Sequence, residues 1–281
     1  MCRSLAVCPD DIPMTVQQLY QYLEARLPRS LSCGWDNDGL SCCPDPLTPV
    51  RRVLISLDPT EDAVRVAAEE GYTVLLTHHP LLFRGLKAVD GGDTSSRKVI
   101  RLIQAGVTAM SFHTRLDAAD GGVNDTLAAL LGLEHILPFG ATEGEDANPD
   151  GKPIGRIGTL PCPESLDDFV RRVKVALHLP GVLCAGCGKP VHRVAVLGGA
   201  GDDDVYAAMA AGADTYLTGE LRYHHLCDAP FSGMNLLAAG HYHTEFPVTA
   251  VLARMVEDIY REAGETPVPV RIIGSDRVVW R

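Results

Sequence analysis

Histidines and carboxylates gather at three places in this chain: Thr77-His78-His79-Pro80, His113-Thr-Arg-Leu-Asp117 and Gly240-His241-Tyr-His243-Thr-Glu245. Imidazole nitrogens and carboxylate oxygens are the donors that a borderline-hard dication takes. Each stretch alone has a plainer reading. The adjacent histidines could simply start a loop, Asp117 could cap a turn, and His241 could share one hydrogen bond with Glu245. Together, however, seven donor residues follow three separate apolar runs, which favours a single shared site. Four or five nitrogen and carboxylate ligands exceed the needs of one tetrahedral zinc. The expectation is therefore two divalent ions sharing a bridging carboxylate, about 3.5–4 Å apart as in hydrolytic two-metal centres. Zinc, manganese, iron and cobalt all suit such donors.

The elements that must position these residues follow from the hydrophobic pattern. Residues 52–57, 73–77 and 107–112 are short apolar runs that read as buried strands. Helical periodicity separates them at 61–70 and 96–104, and follows at 123–131. A first helix is expected over 16–27, where Leu19, Leu23 and Leu27 recur every fourth residue. Strands alternating with helices of this length predict βαβ units and a mostly parallel sheet. The polar, acidic stretch 142–152 reads as a loop or linker, followed by a strand at 154–160 and a helix at 165–177 capped by Ser165. A second series comprises strands at 194–197, 215–218 and 235–239, helices at 203–211 and 245–262, and a last strand at 268–273.

The two series resemble each other. Gly71 to Thr77 parallels Gly212 to Thr218, and the apolar run ending at His113 parallels the one ending at His241. The fold class expected is α/β, with two interlocked, pseudo-repeated lobes and the metal site in the cleft between them. Residues 1–141 form the N-terminal lobe, 142–190 a connecting segment with no large insert, and 191–281 the C-terminal lobe, all in one structural unit. Ligands of open α/β sheets bind beyond the carboxyl ends of the strands, which is where the histidine stretches fall.

Composition narrows the partners. The formal charge of −11 and the absence of a Lys/Arg cluster argue against nucleic acid. A small anionic substrate stays open, because bound cations would invert the local potential. Nine cysteines at irregular spacing, with no secretion signal at the N-terminus, suggest free thiols in a cytoplasmic protein. No apolar run approaches the roughly 18–20 residues that span a membrane. Cys184-Ala-Gly-Cys187 lacks the second pair of a zinc knuckle and reads as a turn.

The motifs Trp35-Asp-Asn-Asp-Gly39, Thr77-His-His-Pro80, His113-Thr-Arg-Leu-Asp117, Asp214 to Glu220 and Gly240-His-Tyr-His-Thr-Glu245 occur in that order. In combination they resemble the Nif-three-like family, whose members often carry the name GTP cyclohydrolase I type 2 homologue. The resemblance implies a dinuclear site in which His78 and His79 each serve one metal, Asp117 and His241 complete opposite sides, and Glu245 bridges. It also implies toroidal hexamers. The chain departs from the family at His243, usually a small residue, and at Arg115, usually Asn. His243 reads as outward-facing. Arg115 is expected either to bind a substrate anion or to pair with an acidic neighbour. His113 reads as orienting a ligand, His224 and His225 as candidates to line the cleft, and Trp35 to Gly39 as a turn that the resemblance places at the rim. Leu197-Gly-Gly-Ala-Gly-Asp202 looks like a phosphate cradle, but three consecutive aspartates argue for helix capping instead.

Two functions follow. One is a metal-dependent hydrolase acting on a phosphorylated or nucleotide-like small molecule, with Glu245 and His113 as the catalytic residues and Arg115, Lys98 or the cleft histidines as substrate-holding candidates. The other is a non-catalytic metal-binding regulatory or scaffold protein.

Overall fold

The computed structural model describes residues 13–274, 276 and 278 of the chain; Cys2 and Cys8 lie outside them. Eleven strands are described: β1 (Gly39–Cys42), β2 (Val53–Ser56), β3 (Val74–Thr77), β4 (Thr108–Ser111), β5 (Glu134–Phe139), β6 (Gly155–Glu164), β7 (Leu183–Ala185), β8 (Val191–Leu197), β9 (Thr215–Thr218), β10 (Asn235–Ala238) and β11 (Val270–Ile272). The α-helices are α1 (Val16–Arg26), α2 (Glu61–Glu69), α3 (Thr94–Ala105), α4 (Thr114–Ala118), α5 (Val123–Leu130), α6 (Leu166–Ala176), α7 (Val205–Ala210), α8 (Tyr223–Asp228), α9 (His241–Glu245) and α10 (Val248–Glu262).

Two sheets organise the molecule, ordered β1-β4-β3-β2-β11 and β5-β6-β8-β9-β10-β7. In the first, β4, β3, β2 and β11 are parallel and β1 closes the edge antiparallel. In the second, β8, β9 and β10 are parallel, flanked by antiparallel partners. Five of the parallel strands, β2, β3, β4, β9 and β10, are buried along their whole length. Successive side chains alternate between the faces. Val53 and Ile55 therefore join one core with Leu19 and Leu23 of α1 and Leu252 and Val256 of α10. Leu54 faces the other core, formed with Val64 of α2 and Leu102 of α3. The second sheet is covered in the same way, by α5 and α6 on one face and by α7 on the other. Apolar runs without polar alternation are what a sheet covered on both sides requires.

The lobes interlock because α10 and β11, at the end of the chain, return to the first sheet. Conversely β5, from the first half, pairs at the edge of the second sheet. Residues 142–190 supply β6, α6 and β7, the first and last of which are strands of that sheet. The helix expected over 245–262 starts three residues later, at Val248: α9 ends at Glu245, and α10 starts after Pro247. Proline lacks the amide that a continuous helix would use there.

A buried ion pair fixes the loop between β4 and α4. Arg115 Nε and Nη2 donate to the two carboxylate oxygens of Asp38, at 2.8 and 3.0 Å, and both side chains are fully buried. Nη1 donates to Glu24 and to the Leu27 carbonyl. Asp38 also accepts the His113 amide. Of the two roles open to Arg115, the structure shows pairing with an acidic neighbour. Breaking one side of such a pair leaves a charge stranded in a dry interior. R115M should therefore lower unfolding free energy by about 3–5 kcal/mol in urea titrations. The double variant R115M/D38N should lose less than the two single losses combined; strict additivity would mean that the pair is not coupled.

Candidate metal centre

The parallel strands of both sheets run into the loops that carry the candidate residues. His78 and His79 follow β3, His113 follows β4 and Asp117 sits in α4, while His241 and Glu245 open and close α9 after β10. His78, Asp117 and Glu245 are buried, and His79, His113 and His241 are partly so. Ring nitrogens and carboxylate oxygens form three overlapping groups: His78/His79/His113, His79/His241/Glu245 and His78/Asp117/Glu245. Within each group the donor atoms all lie within 4.8 Å of one another. The separate stretches of the sequence thus meet in one cleft.

Each imidazole is anchored through Nδ1. His78 Nδ1 meets the Phe112 carbonyl at 3.0 Å, His79 Nδ1 meets Asp58 at 2.7 Å, His113 Nδ1 meets Asp36 at 3.0 Å, and His241 Nδ1 meets Glu220 at 2.8 Å. An acceptor at Nδ1 places the proton there in the neutral ring, so the Nε2 lone pair is turned to the cleft. Asp58 went unremarked in the sequence. Its signal is positional, since it too lies just beyond a parallel strand, β2. Asp36 and Glu220 belong to motifs quoted above, but their pairing with the histidines could not be read from spacing.

Three of these inward atoms make a tight triangle. His79 Nε2 to Glu245 Oε2 is 3.0 Å, His241 Nε2 to Glu245 Oε2 is 3.2 Å, and His79 Nε2 to His241 Nε2 is 3.3 Å. Ligands held about 2.0–2.1 Å from one ion are separated by about 2.8–3.4 Å, from octahedral to tetrahedral angles. The triangle therefore has the size of one face of a coordination shell. His78 Nε2 lies 3.7 Å from Asp117 and 3.8 Å from Glu245, a looser set. Buried His78 Nε2 has no hydrogen-bond partner, and buried Glu245 Oε2 has none while His79 and His241 carry no proton at Nε2. The lone pairs converge on shared points instead of on each other. Orphaned polar atoms of this kind are costly in a native interior. The donor set fits divalent metal.

Without metal, protons supply the positive charge. Burial disfavours the charged imidazole of His79, yet Asp58 and Glu245 raise its pKa to about 10. His241 behaves likewise, raised to about 9 against burial by Glu245 and Glu220. Burial pushes the Asp117 carboxyl up, whereas the surrounding imidazoles hold Glu245 well below the usual carboxylate range despite its burial.

The glycines after β8 make room for Glu245. A methyl group on Gly199 would sit 2.1 Å from Glu245 Oε1, and Gly199 has φ +70, a conformation that favours glycine. The amides of Gly198, Gly199 and Gly201 are committed to Asn124, Thr244 and Thr218, so they do not form a phosphate cradle. Nor do the aspartates cap the next helix, as was expected. Asp202 instead accepts the Arg222 amide and pairs with His225 Nδ1 at 2.7 Å.

A cavity of about 850 Å³ opens beside the cluster, with Trp35, Phe83, Tyr242 and His243 in its wall. His243 thus lines the cavity, in place of the outward orientation expected, but belongs to none of the three groups. His224 and His225 are not among the lining residues, and neither is Lys98, whose ammonium donates to the Pro59 carbonyl.

The family model described as Duf34/NIF3 (NGG1p interacting factor 3) matches residues 14–276. A Clostridium perfringens protein named GTP cyclohydrolase 1 type 2 homolog is 31% identical over 87% of this chain and 92% of its own length. The Schizosaccharomyces pombe protein NIF3 homolog is also 31% identical, over 92% of this chain and 95% of its own. Among solved structures, the Staphylococcus aureus hypothetical protein SA1388 superposes with a TM-score of 0.85 at 26% identity, covering 96% of this chain and all of that one.

The Asp36–His113 pair yields a pH test. Burial alone would raise the Asp36 carboxyl, but His113 and Thr114 hold it at about 2, below its ordinary 3.8. A depressed carboxylate contributes stability above its unfolded pKa, and that contribution is lost as pH falls through the folded value. Relative to D36N, the wild type should lose about 2 kcal/mol between about pH 5 and pH 2 in urea titrations. A difference that does not change with pH would contradict the pairing.

Proposed function

The chain belongs to the Duf34/NIF3 family, and on that premise we propose that it binds two divalent metal ions and is a metal-dependent hydrolase of a nucleotide-like small molecule. The observation that carries the proposal is the convergence of two donor groups, His78/Asp117/Glu245 and His79/His241/Glu245, on one shared carboxylate. The names of the curated relatives, GTP cyclohydrolase 1 type 2 homolog, support the reaction class. Bound dications would supply Lewis acidity, lowering the pKa of a water and polarising the bond to be split. Zinc, manganese, iron and cobalt remain equally suited to the donors.

The chain's own residues do the rest. Asp58 and Glu220 keep His79 and His241 in the tautomer that points Nε2 inward. Glu245 holds one oxygen toward each group. His113, absent from the two groups that share Glu245, presents Nε2 next to them with Asp36 behind it. On this reading it gives or takes a proton at the reacting atom.

A second reading has its own support. The family's description names an interacting factor, which fits a non-catalytic metal-binding regulator or scaffold. Homohexameric assembly, which the family resemblance implies, belongs to either proposal and is checked by native mass spectrometry. No helix among the described residues is long and apolar enough to cross a membrane. The unpaired thiols of all seven described cysteines support a cytoplasmic location.

Metal analysis and turnover separate the readings. Loss of an outer partner alone weakens metal binding about 10–100-fold, so E245Q should weaken it by more than that. G199A, which crowds Glu245 and costs about 1–2 kcal/mol of backbone strain, should lower bound metal while retaining the native circular dichroism. Metal content unchanged in both variants would sink the dinuclear proposal. H113N should keep its metal and lose about 100- to 10,000-fold in rate if His113 carries the proton. GTP consumption with formate release by metal-loaded protein, abolished in E245Q, favours the hydrolase. Metal binding without turnover of any nucleotide or phosphoester favours the scaffold.

A further inference from the structure

The cavity has a chemical character that metal ligation does not explain. Trp35 and Phe83 stand at its wall with 47% and 51% of their surfaces exposed, although both are large aromatics. Their rings meet at 53° with centroids 5.9 Å apart, forming a corner. Both rings meet the His113 ring at steep angles, with centroids 6.0 and 6.2 Å away. The corner is built, since Asn37 Nδ2 donates to the Leu82 carbonyl and ties the Trp35 loop to the segment that carries Phe83. Exposed aromatic faces beside a polar cluster are platforms for stacking a planar ring.

Charge then limits what the ring can carry. Among the described residues no lysine or arginine lines the cavity, whereas Asp58, Asp117, Glu220, Glu245 and Asp276 do. Asp58, Glu220 and Asp276 stand outside the two donor groups that share Glu245, so they leave an acidic wall beside any bound dications. A polyphosphate tail would meet no lysine or arginine of the described lining. Ionised carboxylates can only accept hydrogen bonds, so the ligand's edge must donate them.

We propose that the cavity selects an amino-bearing nitrogen heteroaromatic ring without a phosphate chain, stacked on the Trp35–Phe83 corner with its N–H groups toward the acidic wall. The position of its reacting bond rests on the function proposed above; the recognition of the ring does not.

The test reads binding directly. Trp35 and Trp280 are the two tryptophans of the chain, so W280F leaves Trp35 as the sole indole reporter. Metal-loaded, full-length W280F is titrated with adenosine, guanosine, cytidine and uridine, with their triphosphates, and with tripolyphosphate. The expected result is quenching of Trp35 by the amino-bearing nucleosides, weaker binding of uridine, and no gain from the triphosphate. In calorimetry, W35A should bind the best nucleoside about ten-fold more weakly, and W35F should retain most of the affinity. Should W35A fail to fold, F83A takes its place. Absence of quenching by every nucleoside, unchanged affinity in W35A or F83A, or a triphosphate bound more than ten-fold tighter than its nucleoside would each overturn the proposal. Failure of the metal reading would appear separately, as unchanged metal content in both E245Q and G199A.

Discussion

Positive charge between the two lobes is the condition on which the rest of the cleft depends. Four imidazoles are fixed through Nδ1, and their Nε2 atoms face one another and two buried carboxylates. Two such lone pairs lie 3.3 Å apart, with a carboxylate oxygen about as close to each. Left alone, that arrangement repels itself and strands buried acceptors. Protons can relieve it, as the raised values of His79 and His241 indicate, and dications relieve it more completely because they engage several lone pairs at once.

The fold meets this condition with one device used repeatedly. Asp58 follows β2, His78 and His79 follow β3, and His113 follows β4. In the other sheet Gly198 and Gly199 follow β8, Glu220 follows β9 and His241 follows β10. Every one of these groups sits just beyond the carboxyl end of a parallel strand, so the corresponding edges of both sheets open on one cleft. Buried apolar strands make those ends rigid, and the short loops after them leave little freedom to the side chains. Strand order thereby becomes site geometry.

Much of this was legible because parallel strands write their signature plainly. β2, β3, β4, β9 and β10 are continuous apolar runs buried on both faces, and the sequence shows them within a residue or two. Of the edge strands, β11 was legible but β1, β5 and β7 were not. β5 is mostly exposed and contains Pro138, β7 is three residues long, and β1 follows a turn-rich motif, so none has the alternation or apolar density that announces a strand. At the site, donors adjacent to strand ends could be read, but their anchors could not. Asp36 reaches His113 across 77 positions and Asp58 reaches His79 across 21, pairings that only packing determines. The Gly198-Gly199 pair hid its role for a related reason, although the aspartates after it had argued rightly against an anion site. A glycine-rich turn before a helix has the appearance of an anion site, and nothing in its sequence reveals that its amides are already used or that a carboxylate leans against it.

The two donor groups are not equivalent, and the difference follows from their origin. His78 and Asp117 come from loops of one sheet, are buried, and stand 3.7 Å apart. His79 and His241 come from different sheets, are more open, and are drawn to 3.3 Å. Glu245 belongs to both groups and is carried by α9, which enters α10, the helix that returns to the first sheet's core. One carboxylate is therefore held by two structural commitments, the packing of α10 on the first sheet and the glycine turn after β8 in the second. Charge placed at the outer group acts across the lobe boundary, whereas charge at the inner group acts mainly within one lobe plus Glu245. The cleft is thus where the interlocking of the sheets and the electrostatics of the site are the same constraint, and a change to either must be felt by the other.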